Sequence, residues 1–388
     1  MPRGSGFAPP GRAALLSALL VTLGANTYQL GTGILGALVP FRLALESPGA
    51  ALAGFVTSAY SVGFVVGTLL TPETVRRLSA RRVMTVASLV AATMSLGLAL
   101  VPAGAGWTAL RVVSGLAAGH YMTILEAWIA DRAPPGRAGL VFSTYMVLSR
   151  LVFGLGQLLI ALADPRGLAL LAAASCAYLL APFVPTAVRE PPPAIGARAM
   201  SGLLDLPRQA PVAAFGSFVH AAVTVTAVSL FPVWGLARGL SVERIAVTLV
   251  AIQAGGIVFQ ILVGPLSDRL DRRIVMAATS TAGAALALAA PLTPGMAQLP
   301  AALLTGAWVG CTFVLYALAA AYMTDIARPD QRMAWSSSLM LFWGSGSVLG
   351  PVVGALAMDH LGPDALFGFI GLVNAAYAIY LVVHRLRQ

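Results

Sequence analysis

The chain has 388 residues, of which 58% are apolar and only 10% are charged. An average soluble domain is about 25% charged, so this composition excludes an ordinary soluble enzyme, and it excludes a disordered chain, which requires low hydrophobicity. The formal net charge of +10 arises from 24 basic and 14 acidic residues. All the basic residues are arginines scattered between long apolar runs, which indicates a membrane protein with many spans rather than a nucleic-acid binder.

Apolar runs long enough to cross a bilayer as helices, about 20 residues each, recur twelve times. They are predicted at 13–39, 49–70, 83–101, 107–129, 139–161, 167–186, 211–235, 245–264, 274–291, 299–321, 334–357 and 365–384. The first run lacks a small-residue cleavage site near its end, so we expect a retained span rather than a signal peptide.

A polar, proline-rich segment divides the twelve runs into six and six. It predicts an N-terminal six-helix bundle over 1–186, a linker over 187–210 and a C-terminal six-helix bundle over 211–388. An even number of spans puts both termini on one side. Arginines in short loops mark the cytoplasmic side, and the terminal side carries 18 of them against four on the other. We therefore expect a bacterial inner-membrane protein with the linker and both termini in the cytoplasm.

Two motifs and an internal repeat resemble those of the major facilitator superfamily along the whole chain. The segment Gly264–Arg273 matches the loop motif G-x-x-x-D-R-x-x-R-R, and Arg111 with Gly115 resembles the span-4 motif R-x-x-x-G. Tyr121–Thr123 in the first half recurs as Tyr322–Thr324 in the second. The resemblance implies an all-α membrane protein whose 12 transmembrane helices form two pseudo-symmetric bundles. It also implies secondary active transport by alternating access.

The same resemblance implies gating residues on the cytoplasmic side, namely Gly264, Asp268, Arg269, Arg272, Arg273 and Asp325. By analogy, Asp325 is expected beside Arg269 and Arg273. The N-terminal copy of the loop motif departs from the pattern, because Thr71 stands where the motif has Asp. The run Glu126–Ile129, followed by Arg137, is similar to a poorly characterised bacterial branch that implies no particular substrate.

Charged residues inside spans are costly and mark candidate functional sites. Arg111 and Arg150 lie within spans 4 and 5, and an arginine keeps its proton in a protein. Arg150 is interpreted either as an anchor for an anionic substrate or as a residue paired with Glu126 or with the carbonyl groups at a span end. We predict that Arg111 contacts the substrate from the face of span 4 that it shares with Gly115, Gly119, Met122 and Glu126.

Two titratable groups are candidates for proton coupling. Glu126 is either a protonatable carboxylate that carries a coupling proton or a gate residue paired with cytoplasmic arginines. His220, near the middle of span 7, titrates near neutral pH as a free side chain. It is either a second coupling site or a buried histidine with one hydrogen bond.

Neutral polar and aromatic side chains complete the predicted substrate contacts. They are Asn26, Gln29, Gln157, Gln253, Gln260, Trp308, Tyr316 and Trp343. Such groups also hold helices together without touching a ligand. Charge in one half and aromatic surface in the other would suit an amphiphilic organic anion.

The function predicted from these features is proton-coupled transport of a small organic solute, anionic or amphiphilic, by a monomer in the lipid bilayer. No ATPase phosphate loop is present in the sequence. We expect no catalytic residues, no metal, no cofactor and no nucleic-acid partner. A transporter-like sensor or assembly factor is the alternative, although the longest loop, about 24 residues, offers no soluble sensor domain. A third alternative, an enzyme embedded in the membrane, would need acidic or histidine side chains clustered at one depth in the spans.

Overall fold

The computed structural model describes residues 12–47, 49–132, 138–183, 205–328 and 331–386. Within these ranges the chain is helical and has no strand. The helices of the N-terminal half are α1 Arg12–Glu46, α2 Ala51–Leu78, α3 Ala80–Gly97, α4 Ala105–Arg132, α5 Ala138–Leu158 and α6 Ala169–Leu180. Those of the C-terminal half are α7 Pro211–Ala237, α8 Val242–Ser267, α9 Arg272–Ala289, α10 Gln298–Ile326, α11 Arg332–Leu361 and α12 Ala365–Leu386.

These twelve helices lie at the twelve predicted runs. In the described residues, eight of them (α2, α5 and α7 to α12) are long and apolar enough to cross a membrane. Short 3-10 helices extend α5 over Leu159–Ala161 and α9 over Ala290–Gly295. The helix Asp205–Gln209 precedes α7, but residues 184–204, most of the predicted linker, lie outside the described ranges. The exact domain bounds therefore stay a prediction.

Each half packs as a bundle around its own buried aromatic cluster. In the first half, Tyr28 of α1 stacks on Tyr121 of α4 at 4.2 Å between ring centroids. In the second, Phe367 of α12 packs edge-on against Trp234 of α7 at 4.9 Å and Trp308 of α10 at 5.8 Å. The protein is thus an all-α membrane protein with the two-bundle fold that the sequence predicts.

Glycines let the neighbouring helices of each bundle approach to backbone contact. A Cβ at Gly115 of α4 would overlap the carbonyl oxygen of Tyr60 in α2. In the other half, a Cβ at Gly346 or Gly350 of α11 would overlap backbone oxygens of α7. Small residues at such crossings are what membrane helices need for close van der Waals packing.

The two bundles meet along one side of the molecule. We call the side where α1 begins and α12 ends the terminal side, and the opposite side, with the α1–α2 and α11–α12 connections, the far side. Toward the far side, α2 packs on α11, where Ser58 Oγ donates to the carbonyl oxygen of Val348 at 2.6 Å. There α5 also packs on α8, where Gln253 Nε2 donates to Gln157 Oε1 at 3.2 Å. No comparable packing joins α4 or α5 to α10 or α11 in the described residues, so the structure is closed on the far side and open on the terminal side.

Candidate functional site

A central cavity of about 460 Å³ lies between the two bundles. Its walls come from α1, α2, α4 and α5 of the first half and from α7, α8, α10 and α11 of the second. The volume falls within the range of ordinary small-molecule sites. Because both bundles contribute, a molecule bound here would touch both halves at once.

Arg150 of α5 lines this cavity and lies against an aromatic ring of the opposite half. Its Cζ is 4.2 Å from the ring centroid of Phe313 in α10, a cation–π distance. Its Nε is buried and has no hydrogen-bond partner, and no carboxylate pairs with the guanidinium among the described residues. The predicted alternative, an ion pair with Glu126, is therefore absent in this part of the chain. A positive charge without a counter-ion in a low-dielectric cavity favours an anion.

Arg111 of α4 is the second cavity arginine and has the same kind of environment. Its Cζ lies 4.2 Å from the ring centroid of Tyr60 in α2, and its Nε is buried and unpartnered. Only 6% of the residue is exposed, and it too lacks a carboxylate partner in the described ranges. The cavity thus presents two fixed positive charges, one held by the first bundle alone and one stacked between the bundles.

The two predicted proton-coupling residues also line the cavity. Glu126 is exposed near the terminal-side end of α4, where the cavity opens. His220 of α7 is only 5% exposed. Its Nδ1 lies 3.2 Å from the carbonyl oxygen of Thr312, and its ring contacts Phe313 at 5.5 Å and Tyr316 at 5.6 Å. Both titratable side chains are thus placed at the wall of the cavity.

Four of the predicted neutral contacts line the cavity and four do not. Those in the wall are Gln29, Gln253, Tyr316 and Trp343. Those outside it are Asn26, Gln157, Gln260 and Trp308. Gln157 is fully buried in the seal between the bundles, where its side chain binds Gln253. Asn26 accepts a hydrogen bond from Ser149 at 3.3 Å.

Trp308 is a correction to the expected aromatic cavity surface. It is 0% exposed and packs on Phe367 inside the second bundle, so a ligand in the cavity cannot reach it. The expected cavity face of α4 is also only partly right. Arg111, Met122 and Glu126 line the cavity, but Gly115 and Gly119 pack on α2. The angular position around the α4 axis could not distinguish residues that line the cavity from residues that pack on α2, because α2 covers the middle of that face of α4.

Several cavity residues were not predicted from the sequence. Phe313 and Tyr60 are the most consequential, since one of the two cavity arginines stacks on each of them. Phe313 is three residues before Tyr316, a spacing that places both on one helix face, so the prediction for Tyr316 could have included it. Tyr60 has no such signal, because it lies in an apolar helix whose orientation only packing decides.

The predicted gating residues cluster on the terminal side, within the second half. Arg272 at the start of α9 donates to Asp325 of α10 at 2.6 Å and to Asp268 at 3.1 Å. Asp325 therefore binds Arg272 rather than the expected Arg269 or Arg273. Arg273 binds Asp271, Arg269 is exposed, and a Cβ at Gly264 would meet nothing within 4 Å. In this conformation the contacts of the network among the described residues join α8, α9 and α10 to each other.

Asp271 and Thr71 lie at different positions of the two copies of the loop motif, and Thr71 is the counterpart of Asp268. Asp271 caps α9 by accepting from the backbone N–H of Arg273 at 2.9 Å. Partial burial acts to raise the pKa of Asp271, but the backbone N–H and guanidinium of Arg273 outweigh it, so the pKa lies below its ordinary value. In the first half, Thr71 stands at the motif's Asp position, and its Oγ1 lies 2.9 Å from Nδ1 of His120. The contact between Thr71 and His120 thus stands where the second half has the Asp268–Arg272 ion pair, and Glu73 forms ion pairs with Arg76 and Arg77 nearby.

The family model of the Major Facilitator Superfamily matches residues 21–319 and 213–388, which together cover nearly the whole chain. The chain therefore belongs to the major facilitator superfamily. The fold, the cavity between two bundles and the family are those of a multi-pass membrane transporter.

Relatives and solved structures agree with this assignment. The chain is 29% identical over 368 residues to the uncharacterized MFS-type transporter YcaD of Escherichia fergusonii, and the match covers 94% of each protein. It is 26% identical over 367 residues to YcaD of Escherichia coli O7:K1, again with 94% of each covered. Among solved structures, the nucleoside transporter NupG has a TM-score of 0.75 at 15% identity, over 96% of this chain and 98% of that one. A D-xylose-proton symporter has a TM-score of 0.71 at 15% identity, over 95% and 97%. At these identities the structural neighbours show the fold alone.

Proposed function

We propose that this protein carries a small organic anion with an apolar part across the bacterial inner membrane, coupled to protons. The observation that carries the proposal is the pair of arginines in the cavity, Arg111 and Arg150, neither of which has a carboxylate partner in the described residues. Unpaired buried charge costs several kcal/mol, and an anionic ligand would offset this cost.

The apolar part of the substrate is inferred from the rest of the wall. Phe64 and Trp343 face each other across α2 and α11 at 5.9 Å between ring centroids, and Phe153 and Met340 lie in the same cavity. Aromatic side chains bind apolar groups through large contact areas. A ligand with one anionic end and one apolar end would use both kinds of surface.

The proposed orientation follows from the arginine distribution. With 18 arginines on the terminal side against four opposite, the terminal side is assigned to the cytoplasm. The conformation described here would then be the inward-open state of an alternating-access cycle. Closure of α4 and α5 onto α10 and α11, together with separation of the bundles on the far side, would produce the outward-open state.

Glu126 and His220 are the proposed proton sites, because both are titratable and both line the cavity. Proton use is already named for one protein of this fold, the D-xylose-proton symporter. If Glu126→Gln leaves transport fully responsive to a pH gradient, Glu126 is a gate residue and the coupling proton binds elsewhere.

The first experiment tests anion recognition on the purified protein in detergent. A ligand that binds only the folded state raises the unfolding temperature. The probes are benzoate, phenylacetate, succinate and glycerol phosphate, with uridine and xylose as neutral comparisons. Stabilisation by an anion that is lost in Arg150→Gln and kept in the loop variant Arg166→Gln would support the proposal. Stabilisation by the neutral probes alone would contradict it.

The second experiment separates a transporter from a sensor. A stabilising anion, radiolabelled, is offered to proteoliposomes with an imposed pH gradient. Accumulation above that in protein-free liposomes supports proton-coupled transport. Binding without flux would favour the sensor or assembly factor.

A further inference from the structure

The hydrogen-bond chemistry of His220 follows from its contact with Thr312. Its Nδ1 lies 3.2 Å from the carbonyl oxygen of Thr312 in α10. A carbonyl oxygen can only accept, so Nδ1 carries a hydrogen and donates. In a neutral imidazole the other nitrogen, Nε2, then has the free lone pair. His220 therefore offers a hydrogen-bond acceptor to a ligand in the cavity that it lines.

The imidazole is held in place by aromatic neighbours as well as by this hydrogen bond. Its ring centroid lies 5.5 Å from that of Phe313, nearly edge-on, and 5.6 Å from that of Tyr316. Of the ring's two polar atoms, only Nε2 is left for a ligand. These three contacts with α10 hold the ring in one orientation, which is the requirement for a specific contact.

Arg150 lies next to this acceptor because both residues contact the same ring. Arg150 Cζ is 4.2 Å and the His220 ring centroid 5.5 Å from the Phe313 centroid, so the two groups are at most about 10 Å apart. A carboxylate on the guanidinium and a hydroxyl on Nε2 each need a heavy-atom distance of about 2.8 Å. A carboxylate and a hydroxyl on neighbouring carbon atoms of one small molecule fit within this upper bound.

We propose that Arg150 and His220 form one subsite for a hydroxycarboxylate. The carboxylate binds the Arg150 guanidinium, and the adjacent hydroxyl donates to His220 Nε2. An ammonium group could also donate to Nε2, but the guanidinium would repel its positive charge, so a neutral donor is preferred. This inference rests on the proposed function and narrows its substrate class.

The subsite also joins the two halves of the transporter. Arg150 belongs to α5 in the first bundle, whereas His220 and Phe313 belong to α7 and α10 in the second. A ligand that needs both contacts binds best when the bundles hold these residues at one separation. Hydroxycarboxylates would thereby bias the conformational equilibrium more strongly than simple carboxylates.

The test compares three pairs of probes that differ by one hydroxyl. They are mandelate and phenylacetate, lactate and propionate, and malate and succinate. Affinities are measured by calorimetry on the purified full-length protein at neutral pH. For at least one pair, the wild type should bind the hydroxylated member about 5- to 10-fold tighter, the usual contribution of one hydrogen bond.

Two substitutions of His220 separate its acceptor from its structural role. The amide of Asn in His220→Asn can still donate toward the carbonyl of Thr312, but it supplies no acceptor at the Nε2 position. The two members of each pair should therefore bind this variant with about the same affinity. Gln in His220→Gln reaches further and can present its amide oxygen there, so part of the preference should return. The unfolding temperature of each variant without ligand verifies that it is folded.

The outcomes distinguish this inference from the proposed function. Equal affinity within every pair in the wild type, or a preference that persists in His220→Asn, would overturn the hydroxycarboxylate subsite while leaving anion transport intact. If the protein bound none of the six anions, both the proposed function and this inference would be contradicted. If the carboxylate binds Arg150, the variant Arg150→Gln should bind neither member of a pair.

Discussion

Asp359 near the end of α11 caps the first turn of α2, although the two elements are more than 300 residues apart in sequence. Its carboxylate accepts from the backbone N–H of Ala50 at 2.5 Å and from that of Ala51 at 2.9 Å. The start of a helix carries unsatisfied N–H groups and a partial positive charge. This contact joins the two bundles on the far side and helps to keep that side closed.

The substitution Asp359→Asn should therefore shift the protein toward far-side opening. Loss of one carboxylate at a helix start costs about 1 kcal/mol, which corresponds to a population change of about 5-fold. Spin labels at Leu100→Cys and Leu292→Cys, both exposed and in opposite halves, would report the distance between the bundles after Cys176 and Cys311 are replaced. Asp164→Asn is the matched control, because Asp164 accepts from Arg166 within one loop. An unchanged distance distribution in Asp359→Asn would show that the contact does not hold the seal.

The cation–π contact of Arg150 with Phe313 should contribute measurably to the stability of this conformation. Such contacts are worth about 1 kcal/mol. In a double-mutant cycle, Phe313→Leu should destabilise the wild type by about that much more than it destabilises Arg150→Leu. The measurement is the thermal unfolding midpoint in detergent. Arg42→Leu is the control background, because Arg42 lies over Trp107 instead of Phe313. The effects of substitutions at distant sites on stability are additive, so Phe313→Leu should cost the same there as in the wild type. Additive effects in both backgrounds would exclude a coupling between the bundles through this pair.

Backbone contact between α2 and α4 predicts that Gly115→Ala is strongly destabilising. The added methyl group would overlap the Tyr60 carbonyl oxygen, a backbone atom that cannot rotate away. Overpacking of this kind costs about 3 kcal/mol. We expect a lower unfolding temperature and a smaller monodisperse fraction after purification. Gly368→Ala is the matched control, because a Cβ there meets nothing within 4 Å. Equal stability of the two variants would mean that α2 and α4 separate easily.

The ionic network of the second half predicts a local effect of Asp325→Asn. Arg272 would lose its contact to α10, and hydrogen exchange should become faster at the α8–α9 connection around Asp268. The change in global stability should stay below about 1 kcal/mol, since Asp325 is 55% exposed. Glu73→Gln is the control, because Glu73 binds only Arg76 and Arg77 of its own helix among the contacts described. Unaltered exchange in Asp325→Asn would contradict a role of this network in holding α8 and α9 to α10.

Low charge content and the length of the apolar runs made the fold predictable, whereas the site was predictable only in part. A run of about 20 apolar residues has one stable state in a bilayer, a helix, so all twelve helices could be placed from composition. Arg111, Arg150, Glu126 and His220 could be singled out for the same reason, since polar groups in lipid are costly wherever they face. Which neutral residues reach the cavity could not be predicted, because Gln253 and Gln260 share one helix face and differ only in depth.

The sequence by itself determined the membrane class, the two six-helix halves and the excess of positive charge within the spans, since each of these follows from local hydrophobicity or from a motif. Only the tertiary structure decided which side is closed, that Phe313 and Tyr60 stack on the two arginines, and that Trp308 is buried away from the cavity. Those outcomes depend on how helices from distant parts of the chain pack, and small residues such as Gly115 and Gly346 set that packing through backbone contacts. The glycines recur at a spacing of four, as in Gly115 and Gly119, but this spacing does not specify the helix on which they pack.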